Sequence, residues 1–555
     1  MKKSSSLNAR FEESLKKNWD RPALSDYHGK TLTYGEVAEM IAKIHIFFES
    51  CGIQKGDKIA LCSKNQANWT VAYLSILTYG AVVVPLLHEF KPGAIHHLVN
   101  HSDAKLLFIG NVIWENLNAA EMPDLEAIIT LTEFDVAYAR KPEYTEFRTK
   151  VGEIFKERYP DFGPKDINYH EDKPEELALI SYTSGSTGFS KGVMLPYRSM
   201  VYNLDFAYTA EPHMNNQSRI VSMLPTAHMF GMQFEFIYEF CVGCHIFFLT
   251  RLPSPKVILE AMKEIKPNLV VSVPLILEKI YKNMLVPFIS KNYIKMFLSL
   301  PMIDQIILNT IRQRLIDAFG GQFEEVIAGG APLNREVEAF LRRIKFPLTV
   351  GYGMTECGPI ISYTHWDKCR LYACGKATQK IEVKIDSPDP ENIPGEIMVK
   401  GDNVFLGYYK NPEATKAVMD RKWLRTGDMG VIDKDGYLFI RGRSKTMILG
   451  PSGQNIYPEE IEGSINNLAY VGESLVVEGE EPGSLTALIY PDFDAIEHDG
   501  LPADNESLTK MFMNEMKVTN LELPTYCKVT EVQIFPEEFE KTPKRSIKRY
   551  LYHRR

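Results

Sequence analysis

No stretch of this 555-residue chain approaches the ~18 consecutive apolar residues that a membrane-spanning helix needs. Stretches such as Ala81–Leu87 and Leu269–Leu277 are short, rich in β-branched residues and interrupted by proline, and we read them as buried strands. An apolar signal core is also missing: Lys2 and Lys3 are followed by serines and further polar residues, which points to a cytoplasmic protein. There is no cysteine framework. The eight cysteines lie scattered, and in a reducing compartment they serve as small apolar residues. Cys241-Val-Gly-Cys244-His245 matches the spacing of haem c attachment, but apolar residues flank it, and we read an apolar strand carrying two thiols. No second ligand pair follows at zinc-finger spacing. Basic charge is not in excess. With 63 Lys and Arg against 71 Asp and Glu, nucleic acid is a poor partner.

What is present has the balance of a globular protein, at 45% hydrophobic and 24% charged residues, and its length calls for more than one core. Helical spacing over Thr33–Glu49 and Trp69–Tyr79 alternates with strand-like Lys58–Cys62, Ala81–Leu86 and Lys105–Ile109, which predicts a layered α/β sheet. A polar connection, Pro160–Glu176, leads into further strands at Ala178–Tyr182, Ile220–Leu224, His245–Leu249, Leu269–Val273, Glu325–Ala328 and Leu348–Tyr352. From near Gly375 to Ile440, short strands and turns suit a small β subdomain. Beyond Arg443 about a hundred residues remain, enough for a small α+β domain. The expected class is α/β: a large amino-terminal domain, 1–444, of layered α/β subdomains plus the small β subdomain, then a smaller α+β domain, 445–555.

The strand ending at Tyr182 runs into Thr183-Ser184-Gly185-Ser186-Thr187-Gly188-Phe189-Ser190-Lys191-Gly192. Glycines let backbone amides approach phosphate oxygens, hydroxyls donate hydrogen bonds and lysine supplies charge. The order Gly-x-x-Gly-x-x-Lys-Gly is not that of a Walker A loop. Alone, such a loop also reads as a flexible connector.

Four more segments accompany it: Leu224-Pro-Thr-Ala-His228-Met-Phe-Gly231; Gly329-Gly-Ala-Pro-Leu333 with Gly351-Tyr-Gly-Met-Thr-Glu356; Trp423-Leu-Arg-Thr-Gly-Asp428; and Arg441-Gly-Arg-Ser-Lys445 leading to Gly453-Gln-Asn-Ile-Tyr-Pro-Glu-Glu-Ile-Glu462. In order and spacing the five segments closely resemble the adenylate-forming superfamily, and within it the long-chain fatty acid–CoA ligases. The resemblance runs from about Leu32 to the carboxyl end.

That resemblance implies ATP, Mg²⁺ and coenzyme A as cofactors and a fatty acid as the acid activated. It makes Thr183, Ser184, Gly185, Ser186, Thr187, Gly188 and Lys191 the phosphate grip. Tyr352 and Gly353, with the small residues Gly330, Ala331 and Pro332, receive adenine, since an aromatic face needs room against backbone. Thr355 donates to the α-phosphate, and Glu356 is the Mg²⁺ ligand, a hard oxygen donor of the kind magnesium takes in small number. Asp428 accepts from ribose hydroxyls, and Arg443 contacts the ribose and phosphate region. His228 stands at the carboxylate end of the acyl pocket, although a histidine among apolar residues is commonly structural. The carboxyl-terminal domain is expected to be mobile, with its hinge at Lys445, and Gly453 lets pantetheine pass. An acyl-adenylate then forms and is transferred to the CoA thiol.

One segment departs from the family pattern. Where Thr-x-x-Gly-Lys-Ile-x-Arg carries a catalytic lysine, this chain has Thr542-Pro-Lys-Arg-Ser546-Ile547-Lys-Arg549, with Ser546 at the lysine's place. Lys544 or Lys548 is left to serve, with Lys548 preferred, and a solvated basic tail is the plain alternative.

Residues 272–331 resemble the long-chain branch. Their intervening Met284, Leu285, Phe288, Ile294, Phe297, Leu298, Leu300, Met302 and Ile306 suit helix packing, an acyl entrance or peripheral membrane contact. Met229 and Phe230 stand where that branch places a tryptophan gate, which leaves chain length open. A homodimer is compatible with the sequence and fixed by nothing in it. Two other functions stay open: a fatty acyl-AMP ligase that loads a carrier protein, and a degenerate nucleotide-binding regulator motivated by Ser546.

Overall fold

The amino-terminal helix, Leu7–Lys17, is anchored by a carboxylate far along the chain. Asp172 accepts from the Ser6 hydroxyl at 2.6 Å and from the amides of Leu7 and Asn8 at 3.0 and 2.9 Å. These donors are free at any helix start, and a buried acid satisfies them. The computed structural model describes residues 6–183, 190–250, 254–289, 291, 303–450, 454–480, 484–542 and 547–552. Helix Tyr34–Ser50 starts on a capping box, Thr33 bonding the Glu36 amide and Glu36 returning to Thr33, and buries Val37, Ile41, Ile44 and Phe48.

The largest sheet has eight strands in the order Gly407–Tyr408, Lys191–Pro196, Leu177–Thr183, Val82–Leu86, Lys58–Cys62, Ala104–Ile109, Ala127–Thr130 and Val136–Ala139. Its centre is parallel and fully buried, which explains the unbroken Val82-Val-Val run. A second sheet orders Arg219–Ser222, His245–Phe248, Pro22–Asp26 and Thr31–Thr33. A third sets Val270–Ser272, Val326–Ala328 and Leu348–Val350 in parallel. Five strands between Ile381 and Arg443 form the small β sheet. Beyond it, Val471–Glu478, Leu485–Pro491 and Val529–Ile534 form a sheet packed on helices Pro458–Ile465 and Asn505–Glu522. The fold is the expected layered α/β arrangement with a smaller α+β unit at the carboxyl end.

Two local readings need correction. Cys241 lies within helix Tyr238–Val242, and Cys244 precedes the strand His245–Phe248; Gly243, at φ 99°, terminates the helix in the left-handed region, so the two thiols do not lie on one strand. Only Val270–Ser272 of Leu269–Leu277 is a strand. Pro274 opens a helix, Pro274–Ile280, because its missing amide is harmless at a first helical position.

One continuous core extends from Leu7 to Leu438, and a separate one unites Ile448, Ile461, Val476, Phe512 and Val532. Polar contacts span the junction: Arg335 to Glu460 at 3.1 Å, Asn334 Nδ2 to the Gly463 carbonyl at 3.3 Å and Lys282 to Asp492 at 3.6 Å. Among the described residues no helix is long and apolar enough to cross a membrane. Met284 and Ile306 are exposed, Leu285 is buried, and Arg314 covers the Phe288 ring; Ile294, Phe297, Leu298, Leu300 and Met302 lie outside the described residues.

Candidate active site

Strands Leu177–Thr183 and Lys191–Pro196 pair antiparallel, with Thr183 opposite Lys191, so the hydroxyl-rich turn leaves and re-enters the sheet at one point. Ser184, Gly185, Ser186, Thr187 and Gly188 lie outside the described residues. Strand Gly407–Tyr408 pairs with Lys191–Pro196 and lays the Tyr408 ring 4.8 Å from the Lys191 ammonium. The Tyr408 hydroxyl donates to Glu356 Oε1 at 2.8 Å. Glu356 is buried in the short turn Thr355–Cys357, and its carbonyl accepts from the Phe405 amide at 2.9 Å. A cation and a carboxylate from distant parts of the chain are thus joined through one tyrosine.

The second cluster is built on backbone. Residue 353 must be glycine, because a Cβ there would lie 2.2 Å from the Pro359 carbonyl oxygen. The tight pairing of strand Tyr352–Gly353 with Ile360–Tyr363 turns the Tyr352 hydroxyl onto Asp428 Oδ2, 2.7 Å away. Arg443 faces Asp428 in the neighbouring strand and brings Nε to 3.1 Å from Oδ1. Burial raises the Asp428 carboxyl above its usual range, with Arg443 opposing the shift, and Asp428 in turn raises Arg443. Burial also pushes the Tyr352 hydroxyl well up.

A cavity of about 680 Å³, open solvent at its mouth included, lies between the segment 352–355 and helices Tyr197–Ala210 and Tyr238–Val242. His228, Gly330, Tyr352, Gly353 and Thr355 all line it, together with Phe206, Phe230, Phe234 and Ile327. Gly330 adopts φ +86°, a conformation that suits glycine. His228 caps the short helix Met229–Met232, its Nδ1 accepting from the Phe230 amide at 3.4 Å. The segment before it is fixed by Asn65, which bonds the Leu224 carbonyl and the Thr226 amide, and by buried Glu235, which accepts from the amides of Met223 and Leu224. Burial holds the Glu235 carboxyl well above the ordinary range.

Other candidates stand apart from this cavity. Ala331 and Pro332 are exposed and do not line it. Lys445 is exposed in the turn after Arg443, and Gly453 lies outside the described residues. Lys548 pairs with Glu540 at 3.0 Å, which raises its pKa; Lys544 and Ser546 lie outside the described residues. Sequence reasoning missed Tyr408, whose only local signal is an aromatic pair after Gly407, Glu211 and Tyr363 in the cavity wall, and Glu325, to which the Tyr363 hydroxyl donates.

Among the described residues no three of His, Cys, Asp or Glu converge to hold a metal ion by themselves. Glu356 is a single hard oxygen donor linked through Tyr408 to Lys191, a donor set that fits Mg²⁺ completed by substrate oxygens and water.

The chain is 27% identical over 487 residues to a long-chain-fatty-acid–CoA ligase of Escherichia coli O6:H1, covering 82% of this chain and 80% of that one. It is 27% identical over 507 residues to long chain acyl-CoA synthetase 3 of Arabidopsis thaliana, covering 84% and 74%. Two crystal structures share the fold over 99% of this chain. They are the anthranilate CoA ligase AuaEII with anthranoyl-AMP, at TM-score 0.78, 17% identity and 96% of its chain, and ATP-bound MatB of Rhodopseudomonas palustris, at 0.75, 22% and 98%. The family model described as AMP-binding enzyme matches residues 11–409, the span that carries Lys191, Tyr352, Glu356 and Tyr408. The chain belongs to the AMP-binding enzyme family.

Proposed function

We propose that the protein is an AMP-forming fatty acid–CoA ligase whose substrate is a long-chain acid. The observation that carries this reading is that Tyr352 and Thr355 line one largely apolar cavity, Tyr352 being bonded to the Asp428–Arg443 pair and Thr355 preceding Glu356 of the Lys191–Tyr408–Glu356 chain. The relatives named above, a fatty acid ligase and an acyl-CoA synthetase, support the acid and the thiol.

In this reading Asp428 and Arg443 hold ribose, the Tyr352 ring and Gly330 border adenine, and Lys191 with the turn hydroxyls grips the phosphates. Thr355 and His228 flank the point where a carboxylate oxygen attacks the α-phosphorus and pyrophosphate leaves. Mg²⁺, held by Glu356, supplies neutralising charge on the phosphate oxygens. The Tyr408 hydroxyl keeps the Glu356 carboxylate oriented. Domain 445–555 then turns on domain 1–444 about Lys445, Gly453 borders the pantetheine path, and the CoA thiol attacks the acyl carbon as AMP departs. Lys548 serves the first step, and to do so it must leave Glu540. The two cores are separate and polar contacts span the junction between them, which supports such a motion.

The test is a panel of acids from acetate to stearate, following AMP release with and without CoA. Long-chain acids should give AMP and a CoA thioester only when ATP, Mg²⁺ and CoA are all present. AMP release with no thioester would move the reading to carrier-protein loading, and no acid-stimulated pyrophosphate–ATP exchange would end it.

A further inference from the structure

Two helices from different domains meet at one side chain. Asn334 begins helix Arg335–Arg343, its Oδ1 accepting from the amides of Glu336 and Val337 at 3.0 and 3.2 Å. Two backbone donors at one end fix which end of the side chain is oxygen. The Asn334 backbone amide is held at 2.9 Å by Oε1 of Glu278, from helix Pro274–Ile280. Oxygen and backbone are thus committed within the amino-terminal domain. The side-chain nitrogen reaches the other domain, donating to the Gly463 carbonyl at 3.3 Å and to Oδ1 of Asn467. Gly463 lies in the last turn of helix Pro458–Ile465, where carbonyls lack an intrahelical donor. One amide therefore caps the start of one helix and the end of another across the junction.

The neighbouring ion pairs set the docking angle less sharply. Arg335 with Glu460, at 3.1 Å, and Lys282 with Asp492, at 3.6 Å, join long, partly exposed side chains that tolerate several angles. The Asn334 amide is short and directional, and one of its acceptors is a fixed carbonyl. Asn334 also stands four residues after Gly330 of the cavity wall. The helix docked there starts five residues after Gly453, which the reading above sets beside the pantetheine path. Lys548, assigned there to adenylation, is bonded instead to Glu540 of its own domain.

We propose that Asn334 is a positioning residue for the second half-reaction: its amide holds the carboxyl-terminal domain in the docking that passes the acyl group to CoA, and gives up that bond when the domain turns for adenylation. The inference rests on the ligase reading above and names a residue that divides its two steps.

The test measures both half-reactions on the full-length protein: pyrophosphate–ATP exchange driven by the best acid of the panel, and thioester formation from the matching acyl-AMP and CoA. Asn334→Asp keeps the helix cap, since aspartate accepts from the same amides, but sets an oxygen against the Gly463 carbonyl. Thioester formation should fall by at least about fivefold while exchange holds or rises. Asn334→Ser also caps, is too short to reach Gly463, and should give the same skew without added charge. Asn467→Ala, at an exposed position beyond the helix, should give a smaller skew in the same direction and add nothing to Asn334→Ser. Should both Asn334 variants fail to fold, Asn467→Ala decides. An unchanged ratio of the two rates in a folded variant, equal losses in both half-reactions, a greater loss of exchange, or additive effects of Asn334→Ser and Asn467→Ala overturns the inference. If wild type shows no acid-dependent exchange, the ligase reading itself has failed; if it runs both steps and the variants keep its ratio, only the role of Asn334 has.

Discussion

The Tyr408 hydroxyl holds the Glu356 carboxylate from 2.8 Å while its ring lies 4.8 Å from the Lys191 ammonium. Tyr408→Phe therefore keeps the cation–π contact and removes one hydrogen bond to a buried acid, a loss of about 1–3 kcal/mol. The Mg²⁺ concentration for half-maximal AMP release should rise, and kcat/KM for ATP should fall about tenfold. An unchanged Mg²⁺ response would separate Tyr408 from the Glu356 role proposed above.

Asp428→Asn removes the charge that faces Arg443 and the acceptor of the Tyr352 hydroxyl. The KM for ATP should rise by about tenfold or more, with circular dichroism unchanged. Because burial raises the Asp428 carboxyl, the acidic limb of kcat/KM for ATP in the wild type should lie above the ordinary carboxylate range. The variant should lose that limb. Its persistence would assign the titration to another group.

Glu239 is buried in helix Tyr238–Val242 with neither carboxyl oxygen hydrogen-bonded, and burial pushes its pKa up to about 8. The unfolded chain releases this proton near the ordinary glutamate value of 4.5, whereas the folded protein keeps it to about 8. The folded state thus binds more protons within that window, and the stability tied to Glu239 falls as pH rises, by up to about 1.4 kcal/mol per pH unit. Glu239→Gln does not titrate. In urea melts across this range, its stability relative to wild type should increase with pH, and a constant difference would rule out the assignment.

Lys548 and Glu540 form an exposed pair, so Lys548→Ala should change stability by no more than about 1 kcal/mol. If Lys548 serves adenylation, pyrophosphate–ATP exchange should drop by at least about tenfold, while thioester formation from supplied acyl-AMP continues. Equal losses in both half-reactions would argue against that assignment.

The layered fold was legible because its signals are local. Thr33 and Glu36 announce a helix start, and the Val82–Leu86 run announces a buried parallel strand. Five short motifs likewise carry their chemistry in neighbouring residues. The Tyr408–Glu356 bond spans 52 positions and the Tyr363–Glu211 bond 152, and no periodicity encodes contacts of that reach. Glu211, between Ala210 and Pro212, reads as a polar helix end; only the sheet brought behind it makes it a buried acid. The Cys241–Cys244 reading failed for a local reason, since Gly243 allowed a helix end where apolar flanks implied a strand.

Asp172 ties the first helix to the connection that leads into strand Leu177–Thr183. An expression clone trimmed to the family match at residue 11 would delete Ser6, Leu7 and Asn8, stripping three donors from an acid only 6% exposed. Such a clone invites insolubility from a defect remote from the chemistry, which makes the carboxyl end the safer place for an affinity handle when stability is the concern.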